Sequence, residues 1–126
     1  MITVDEVRRL ALSLPRTEEK LIRDRVKFRV GSLVYVSFSR DEELMGFAFP
    51  REGRDALVAA EPEKFLMPIA SDMRYNWVRV RLAALDAAEM RELVLDAWQM
   101  VVPKRVAAAH LGADPKRSTL DGLGRS

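Results

Sequence analysis

Basic and aromatic side chains recur together in two short stretches of the sequence. Lys27 and Arg29 alternate with apolar residues in the first stretch, and Arg79 and Arg81 do so beside Trp77 in the second. If these residues share one face of a β-sheet, cations and aromatic rings are interleaved, which suits contacts with phosphates and bases. The full candidate set for binding nucleic acid is Lys27, Arg29, Tyr35, Arg74, Trp77, Arg79 and Arg81.

The charges of the chain are segregated although its net charge is small. The net charge is +2, from 21 basic and 19 acidic residues, so attraction to nucleic acid has to come from clusters of like charge. Between residues 20 and 30 Asp24 is the only acid among several cations, whereas acids are concentrated between residues 86 and 96. A solvated face is the alternative interpretation of such a basic run.

Several classes of catalytic and metal site are excluded by the residue types present. The chain has no cysteine, and His110 is its one histidine, which we expect to cap the C-terminal end of the last helix. No His/Cys cluster with zinc spacing and no Cys/His nucleophile arrangement can therefore be built. The six glycines form no phosphate-binding loop. We predict no catalytic residue, no metal and no cofactor, and hence a protein that is not an enzyme.

Clustered carboxylates are the remaining candidates for acid–base chemistry or for binding a hard cation. They occur at residues 41–43 and at Glu61 and Glu63. Both groups fall in predicted turns, and no pattern around them predicts the desolvated pocket that raises the pKa of a carboxyl group. We expect these carboxylates to be solvated.

A strand followed by a helix is the clearest structural signal in the chain. In residues 77–82 valine and leucine point to one face while Trp77, Arg79 and Arg81 point to the other. Asp86 and Glu89 form a capping box that begins an amphipathic helix, and its apolar stripe includes Trp98 as a core residue. Because Pro103 disfavours helical geometry, residues 104–110 are predicted to form a separate short turn.

The preceding residues predict a helix, an antiparallel meander and a second helix. Thr3 and Glu6 cap a first helix that ends before residue 15, and strands are predicted at residues 18–22, 26–30, 33–38 and 44–49. A helix at residues 52–60, with Ala56, Leu57 and Ala60 inward, precedes a helical turn at 62–65 and an irregular segment at 67–75. The predicted class is α+β, an antiparallel sheet packed against helices in the order α-β-β-β-β-α-β-α. Alternation places Tyr35 on the outer face with Trp77.

Length and hydropathy favour one domain in the cytoplasm. At 126 residues the chain suits a single core, which we place at residues 1–110, followed by a flexible tail at 111–126. No apolar run is long enough to cross a bilayer, and the first residues lack the pattern of a secretion signal. We expect no membrane association. The sequence gives no basis for an oligomeric state.

Three segments, residues 28–31, 77–82 and 96–105, resemble the MmcQ/YjbR family in its actinobacterial style, and the resemblance covers residues 3–110. It implies an α+β domain similar to the frataxin (CyaY) fold and a "double-wing" mode of DNA binding. Ser32 stands where many relatives carry lysine. Residues 74–76 replace a histidine and lysine found before the tryptophan, although Arg74 keeps a positive charge there. The first helix has no acidic ridge, so we expect no iron.

Two functions from different classes follow. The first is a non-enzymatic DNA-binding domain that contacts phosphates through the basic sheet face. The second is a module for a small ligand or a protein partner, with a pocket between the sheet and the 67–75 loop. We expect Met45, Phe65, Met67 and Met73 to line this pocket, and the alternative is that these four residues pack in the core. The alternative arrangement of the outer face is that loops or the second helix cover it, with the aromatics buried and the arginines paired with acids at 41–43.

Overall fold

The structure, a computed structural model, describes residues 1–112. Its α-helices are α1 Val4–Ser13, α2 Arg51–Ala60, α3 Ala87–Gln99 and α4 Lys104–Gly112. Its strands are β1 Thr17–Ile22, β2 Arg25–Val30, β3 Leu33–Phe38, β4 Leu44–Ala48, β5 Phe65–Leu66 and β6 Trp77–Arg81. The strands form one antiparallel sheet in the order β1-β2-β3-β4-β6-β5. The predicted α+β class is confirmed.

Two elements differ from the predicted order. Phe65 donates its backbone N–H to the carbonyl of Glu61, as the predicted helical turn requires, but Phe65 then begins β5 and pairs with β6. The predicted short turn after Pro103 is a full helix, α4, which extends through Gly112. Leu111 and Gly112 thus belong to a helix, and the rest of the predicted flexible tail, residues 113–126, lies outside the described residues.

Local side-chain chemistry sets where the helices begin and how the strands reverse. The Thr3 hydroxyl accepts from the N–H of Glu6 at 3.2 Å, and the Asp86 carboxylate accepts from that of Glu89 at 2.8 Å. Both helix starts predicted from capping patterns are confirmed. Gly31, in the turn between β2 and β3, has φ 59°, a conformation that glycine adopts without steric cost.

The core lies on the face of the sheet that α1 and α3 cover. Val78, Val80 and Leu82 are fully buried there, as alternation predicted. Trp98 is also fully buried, and its indole N–H donates to the carbonyl of Pro15 at 2.9 Å. Trp98 is therefore a core residue whose one polar atom is satisfied. The opposite face, which we call the outer face, carries the alternate residues of each strand.

Among residues 1–112, none of the helices combines the length and the apolar character that a membrane-spanning helix requires.

Candidate nucleic-acid interface

The strand register brings cations from distant parts of the chain into one row on the outer face. Lys27 pairs with Lys20 on one side and with Ser37 on the other. Ser37 pairs with Gly46, and Gly46 pairs with Arg79. Directly paired residues of antiparallel strands point to the same face, so these five residues form one row. Its centre is occupied by the small residues Ser37 and Gly46, and cations stand at both ends.

Trp77 packs over the centre of this row. A Cβ atom built on Gly46 would lie 2.6 Å from Trp77 Nε1 and 2.7 Å from Cζ2, closer than real contacts allow. The indole thus occupies the space that any side chain at residue 46 would need. Trp77 lies on the outer face, half-buried, as the alternation in β6 predicted.

The predicted position of Tyr35 is wrong. Tyr35 is fully buried and its hydroxyl forms a 2.8 Å hydrogen bond with that of Thr17. The cause is a β-bulge: Phe28 pairs with Val36 and Arg29 with Val34, so Tyr35 is an extra residue in β3. The bulge breaks strict alternation and turns both Tyr35 and Val36 into the core. Burial raises the pKa of the Tyr35 hydroxyl to about 12, with a smaller opposing effect of the Thr17 hydrogen bond. Tyr35 has no surface for stacking on a base.

The other predicted arginines lie on the outer face but have different neighbours. Arg29 lies 3.6 Å from the carboxylate of Glu18, so its ionic partner comes from β1 and not from residues 41–43. Arg79 donates from Nε to the carbonyl of Met67 at 2.9 Å, which uses one of five guanidinium N–H donors. Arg81 is exposed and lines a separate recess of about 340 Å³ together with Asp41 and Glu43.

Arg74 is exposed in the segment that precedes β6. It donates to the Tyr75 hydroxyl at 2.7 Å, and its guanidinium lies 4.9 Å from the centre of the Tyr75 ring. Such stacking holds the cation and the aromatic ring together at the surface. Tyr75 is 50% exposed.

A groove of about 530 Å³ runs between the outer face and the segment 69–77. A pocket in this place was predicted, but its predicted lining is wrong. Met45 and Phe65 are buried in the core, which was the alternative use predicted for them, and neither Met67 nor Met73 is among the described residues that line the groove. The lining residues that matter for binding are Arg25, Lys27, Ser32, Ser37, Asp72, Tyr75, Asn76, Trp77 and Arg79.

Two arginines of α2 hold the outer wall of the groove. Arg54 is 7% exposed and donates to the carbonyls of Met73 at 2.6 Å and Tyr75 at 2.9 Å. Arg51 is exposed and donates to the carbonyl of Arg74 at 2.8 Å. Three consecutive carbonyls therefore accept hydrogen bonds from one helix, which fixes the path of the chain that leads to Trp77.

Arg54 is the residue of this region that sequence reasoning missed. The predicted inward residues of α2 were Ala56, Leu57 and Ala60, but both alanines are exposed. The signal that was available is spacing, since Arg54 precedes the half-buried residues Leu57 and Val58 by three and four positions. An arginine at an apolar-stripe position indicates a buried guanidinium with acceptors nearby.

The groove is lined by more positive than negative charge. Arg25, Lys27 and Arg79 face a single carboxylate among the described lining residues, that of Asp72. Ser32 takes part at the hairpin turn with a hydroxyl group. Within residues 1–112 no group of three or more His, Cys, Asp or Glu residues is placed to hold a metal ion. The arrangement offers cations, hydroxyls and aromatic rings, which together suit an anionic ligand with a planar ring.

Comparison with known proteins places the chain among uncharacterised relatives. A family model named YjbR matches residues 12–100. The uncharacterised proteins Rv2570 of Mycobacterium tuberculosis (strain ATCC 25618 / H37Rv) and Mb2600 of Mycobacterium bovis are each 30% identical to it over 129 residues, covering 88% of this chain and 97% of theirs. The crystal structure of Deinococcus radiodurans protein DR2400, with the family-model domain DUF419, is similar in fold to this chain. The similarity covers 79% of this chain and 78% of that one, with a TM-score of 0.69 and 24% sequence identity. The chain therefore belongs to the YjbR family, as its strand and helix motifs predicted.

Proposed function

We propose that this protein is a DNA-binding domain without enzymatic activity, and that its outer sheet face contacts the phosphates. The observation that supports the proposal best is the row on that face. Lys20 and Lys27 come from the neighbouring strands β1 and β2 and Arg79 comes from β6, about fifty residues further along the chain, yet the register brings all three to one face. A surface of this kind neutralises several phosphates at once.

The distribution of acids supports the same orientation. Asp86, Glu89, Glu92 and Asp96 belong to α3 or its N-cap, and α3 packs on the opposite face of the sheet. A basic face backed by an acidic helix orients the protein as it approaches a polyanion. The small net charge of +2 is therefore compatible with binding through one face.

The groove offers hydrogen-bond donors and aromatic surfaces, and we assign no catalytic role to any of its residues. Asp72 is its one described carboxylate, and it lies at the end of a short 3-10 turn beside two exposed residues, Ser71 and Met73. General acid–base chemistry commonly uses a group whose pKa is adjusted by burial or by a close partner. Binding is the function that the remaining lining residues support.

The affinity for DNA as a function of salt concentration tests the proposal. Each phosphate contact contributes about −0.9 to the slope of log affinity against log salt for duplex DNA and about −0.7 for a single strand. Contacts from Lys20, Lys27 and Arg79 would give a slope of roughly −2 to −3. A slope near zero, or no binding at low salt, would exclude the proposed function.

The volume of the groove favours a second candidate, binding of a small ligand. About 530 Å³ falls within the range of roughly 300–1,000 Å³ that is usual for ligand pockets. A thermal-shift screen discriminates between the two candidates. A ligand at a hundred times its dissociation constant adds about 2.7 kcal/mol to the free energy of unfolding, and an uncharged ligand does so at high salt as well, where DNA is released.

A further inference from the structure

We infer that the groove accepts one unpaired nucleotide of a DNA strand, with the base against Trp77 and the phosphates at the flanking cations, so that single-stranded DNA is preferred to duplex. The inference rests on the proposed function and specifies its ligand. It follows from the shape of the groove, from its aromatic residues and from the placement of its cations.

The shape of the site favours a base that is free of its partner. The groove is a concavity with the sheet as its floor and the segment 69–77 as a wall, and the buried Arg54 holds that wall by its carbonyls. In a duplex the bases are stacked and paired inside the helix, so a base can enter such a pocket only after it leaves the stack. A duplex lying on the outer face would contact the rim alone.

The aromatic residues of the groove supply surfaces for a base. Trp77 lies low over the floor because Gly46 has no side chain beneath it, and its indole lines the groove. Tyr75 adds a half-exposed ring, with the Arg74 guanidinium stacked on it. Stacking on aromatic rings is how sequence-tolerant proteins hold single strands. Ser37 and Asn76 provide polar groups at the floor and wall for the edge of the base.

The cations stand where flanking phosphates would lie. Lys27 and Arg79 are three strand spacings apart in the sheet, which corresponds to about 14 Å at about 4.8 Å per strand. The floor between them is formed by Ser37 and by the Trp77 indole that covers Gly46, and the groove above this floor has a volume of about 530 Å³, which accommodates a base. Lys20 continues the row beyond Lys27. The strand can therefore cross the sheet with phosphates at both ends of the groove and one base within it.

Fluorescence titration at low salt tests the inference, with oligo(dT), a duplex of equal length and free dTMP as probes. Trp77 is the half-exposed tryptophan and Trp98 is fully buried, so the Trp98→Phe variant makes Trp77 the sole tryptophan reporter. We expect oligo(dT) to quench this emission and to bind about 5- to 150-fold more tightly than the duplex, as the stacking of one base predicts. Free dTMP lacks the neighbouring phosphates and should bind far more weakly than the oligonucleotide.

Variants of the groove assign the preference to Trp77. Trp77→Ala should lose most of the preference for oligo(dT) over duplex, because its affinity for oligo(dT) should fall more than its affinity for duplex, whereas Trp77→Phe should keep part of that preference. Arg91→Gln is the matched control, because it removes an exposed cation of α3, which packs on the face of the sheet opposite the groove. It should change neither the affinity for oligo(dT) nor the affinity for duplex. If Trp77→Ala does not fold, the affinities of Trp77→Phe and of the parent for oligo(dT) and for duplex show whether Trp77 causes the preference.

The outcomes separate the inference from the function on which it rests. Duplex binding as tight as that of oligo(dT), or quenching that is absent when oligo(dT) binds, overturns the inference and leaves DNA binding in place. Saturation by dTMP at the same concentration as by the oligonucleotide also overturns it, because a free nucleotide is then the ligand. Binding of none of the three probes refutes the proposed function together with the inference.

Discussion

The indole of Trp77 on β6 fills the position that a side chain of Gly46 on β4 would occupy, since a Cβ at Gly46 would come within 2.6 Å of Trp77 Nε1. The two residues are therefore complementary: the absence of a side chain at one sets the orientation of the other. This pair forms the floor of the groove, and the proposed binding of DNA depends on it.

Gly46→Ala should displace the indole of Trp77. Added atoms in a packed site cost about 1–3 kcal/mol, and we expect a decrease of that order in the free energy of unfolding. Oligo(dT) affinity should fall as well, because the stacking surface moves. Urea unfolding and fluorescence titration measure the two effects.

Gly53→Ala is the matched control for that substitution. A Cβ at Gly53 would lie 3.4 Å from Phe49 Cε2, an ordinary contact, and Gly53 lies within α2. Alanine in a helix is favoured over glycine by about 0.8–1.0 kcal/mol, so this variant should be as stable as the parent or more stable. An equal decrease of stability in both variants would contradict the proposed role of the Trp77 contact.

The two tryptophans should differ in their contributions to stability and binding. Trp98→Ala leaves a cavity in the core and should cost about 3–5 kcal/mol, out of a typical total of about 5–15 kcal/mol. Trp77→Ala should cost roughly 1 kcal/mol, as for a typical substitution, while weakening DNA binding. Urea unfolding of both variants, with DNA titration beside it, makes the comparison. If Trp77→Ala is as destabilising as Trp98→Ala, Trp77 belongs to the scaffold.

Arg54→Met should loosen the wall of the groove. The carbonyls of Met73 and Tyr75 lose their hydrogen bonds to a buried guanidinium, and a hydrogen bond to a charged group contributes about 1.5–3 kcal/mol. We expect a destabilisation of that order and faster amide exchange at residues 73–77. Arg51→Met removes only the exposed hydrogen bond to the carbonyl of Arg74, which water can replace, so this variant should stay within about 0.5 kcal/mol of the parent. Unchanged exchange in Arg54→Met would show that this arginine does not hold the wall.

Tyr35 should make the protein less stable in strongly alkaline solution. The tyrosine pKa is about 10 in an unfolded chain and about 12 here, so between these values the unfolded chain releases a proton that the folded protein retains. Stability contributed by the neutral hydroxyl is complete below pH 10 and declines as the pH rises toward 12. Tyr35→Phe should cost about 1 kcal/mol at neutral pH because the hydrogen bond to Thr17 is removed, and its stability should fall less steeply above about pH 10. An unchanged slope would contradict this assignment.

Features encoded within a few neighbouring residues were predictable from the sequence. The caps at Thr3 and Asp86 depend on residues three positions apart, and the two faces of β6 depend on simple alternation. Trp98 was assigned to the core from its place on a helical stripe. Local patterns sufficed because each of these features is decided by one element.

Features that depend on pairing between distant segments were not predictable. Tyr35 is buried because β3 carries an extra residue relative to β2, and nothing in the alternation of β3 marks the bulge. Arg54 acts on carbonyls about twenty residues further along the chain, which α2 alone does not reveal. The short strand β5 forms because β6 offers it a partner. The lining of the groove depends on the strand register and on the wall that Arg54 holds, so local patterns did not identify it.

The salt dependence of DNA affinity in two matched double variants tests the proposed interface most directly. Arg25→Gln with Lys27→Gln removes two cations that line the groove, and Arg9→Gln with Arg91→Gln removes two exposed cations from α1 and α3 on the helical side. Removing a cation that binds a phosphate should reduce the magnitude of the salt slope by about 1 for duplex DNA and by somewhat less for a single strand. For the double variant Arg25→Gln with Lys27→Gln we predict weaker DNA binding and a shallower salt slope. For the double variant Arg9→Gln with Arg91→Gln we predict the parental affinity and slope. Equal losses of affinity in the two double variants, or a larger loss in Arg9→Gln with Arg91→Gln, would contradict binding through the outer sheet face.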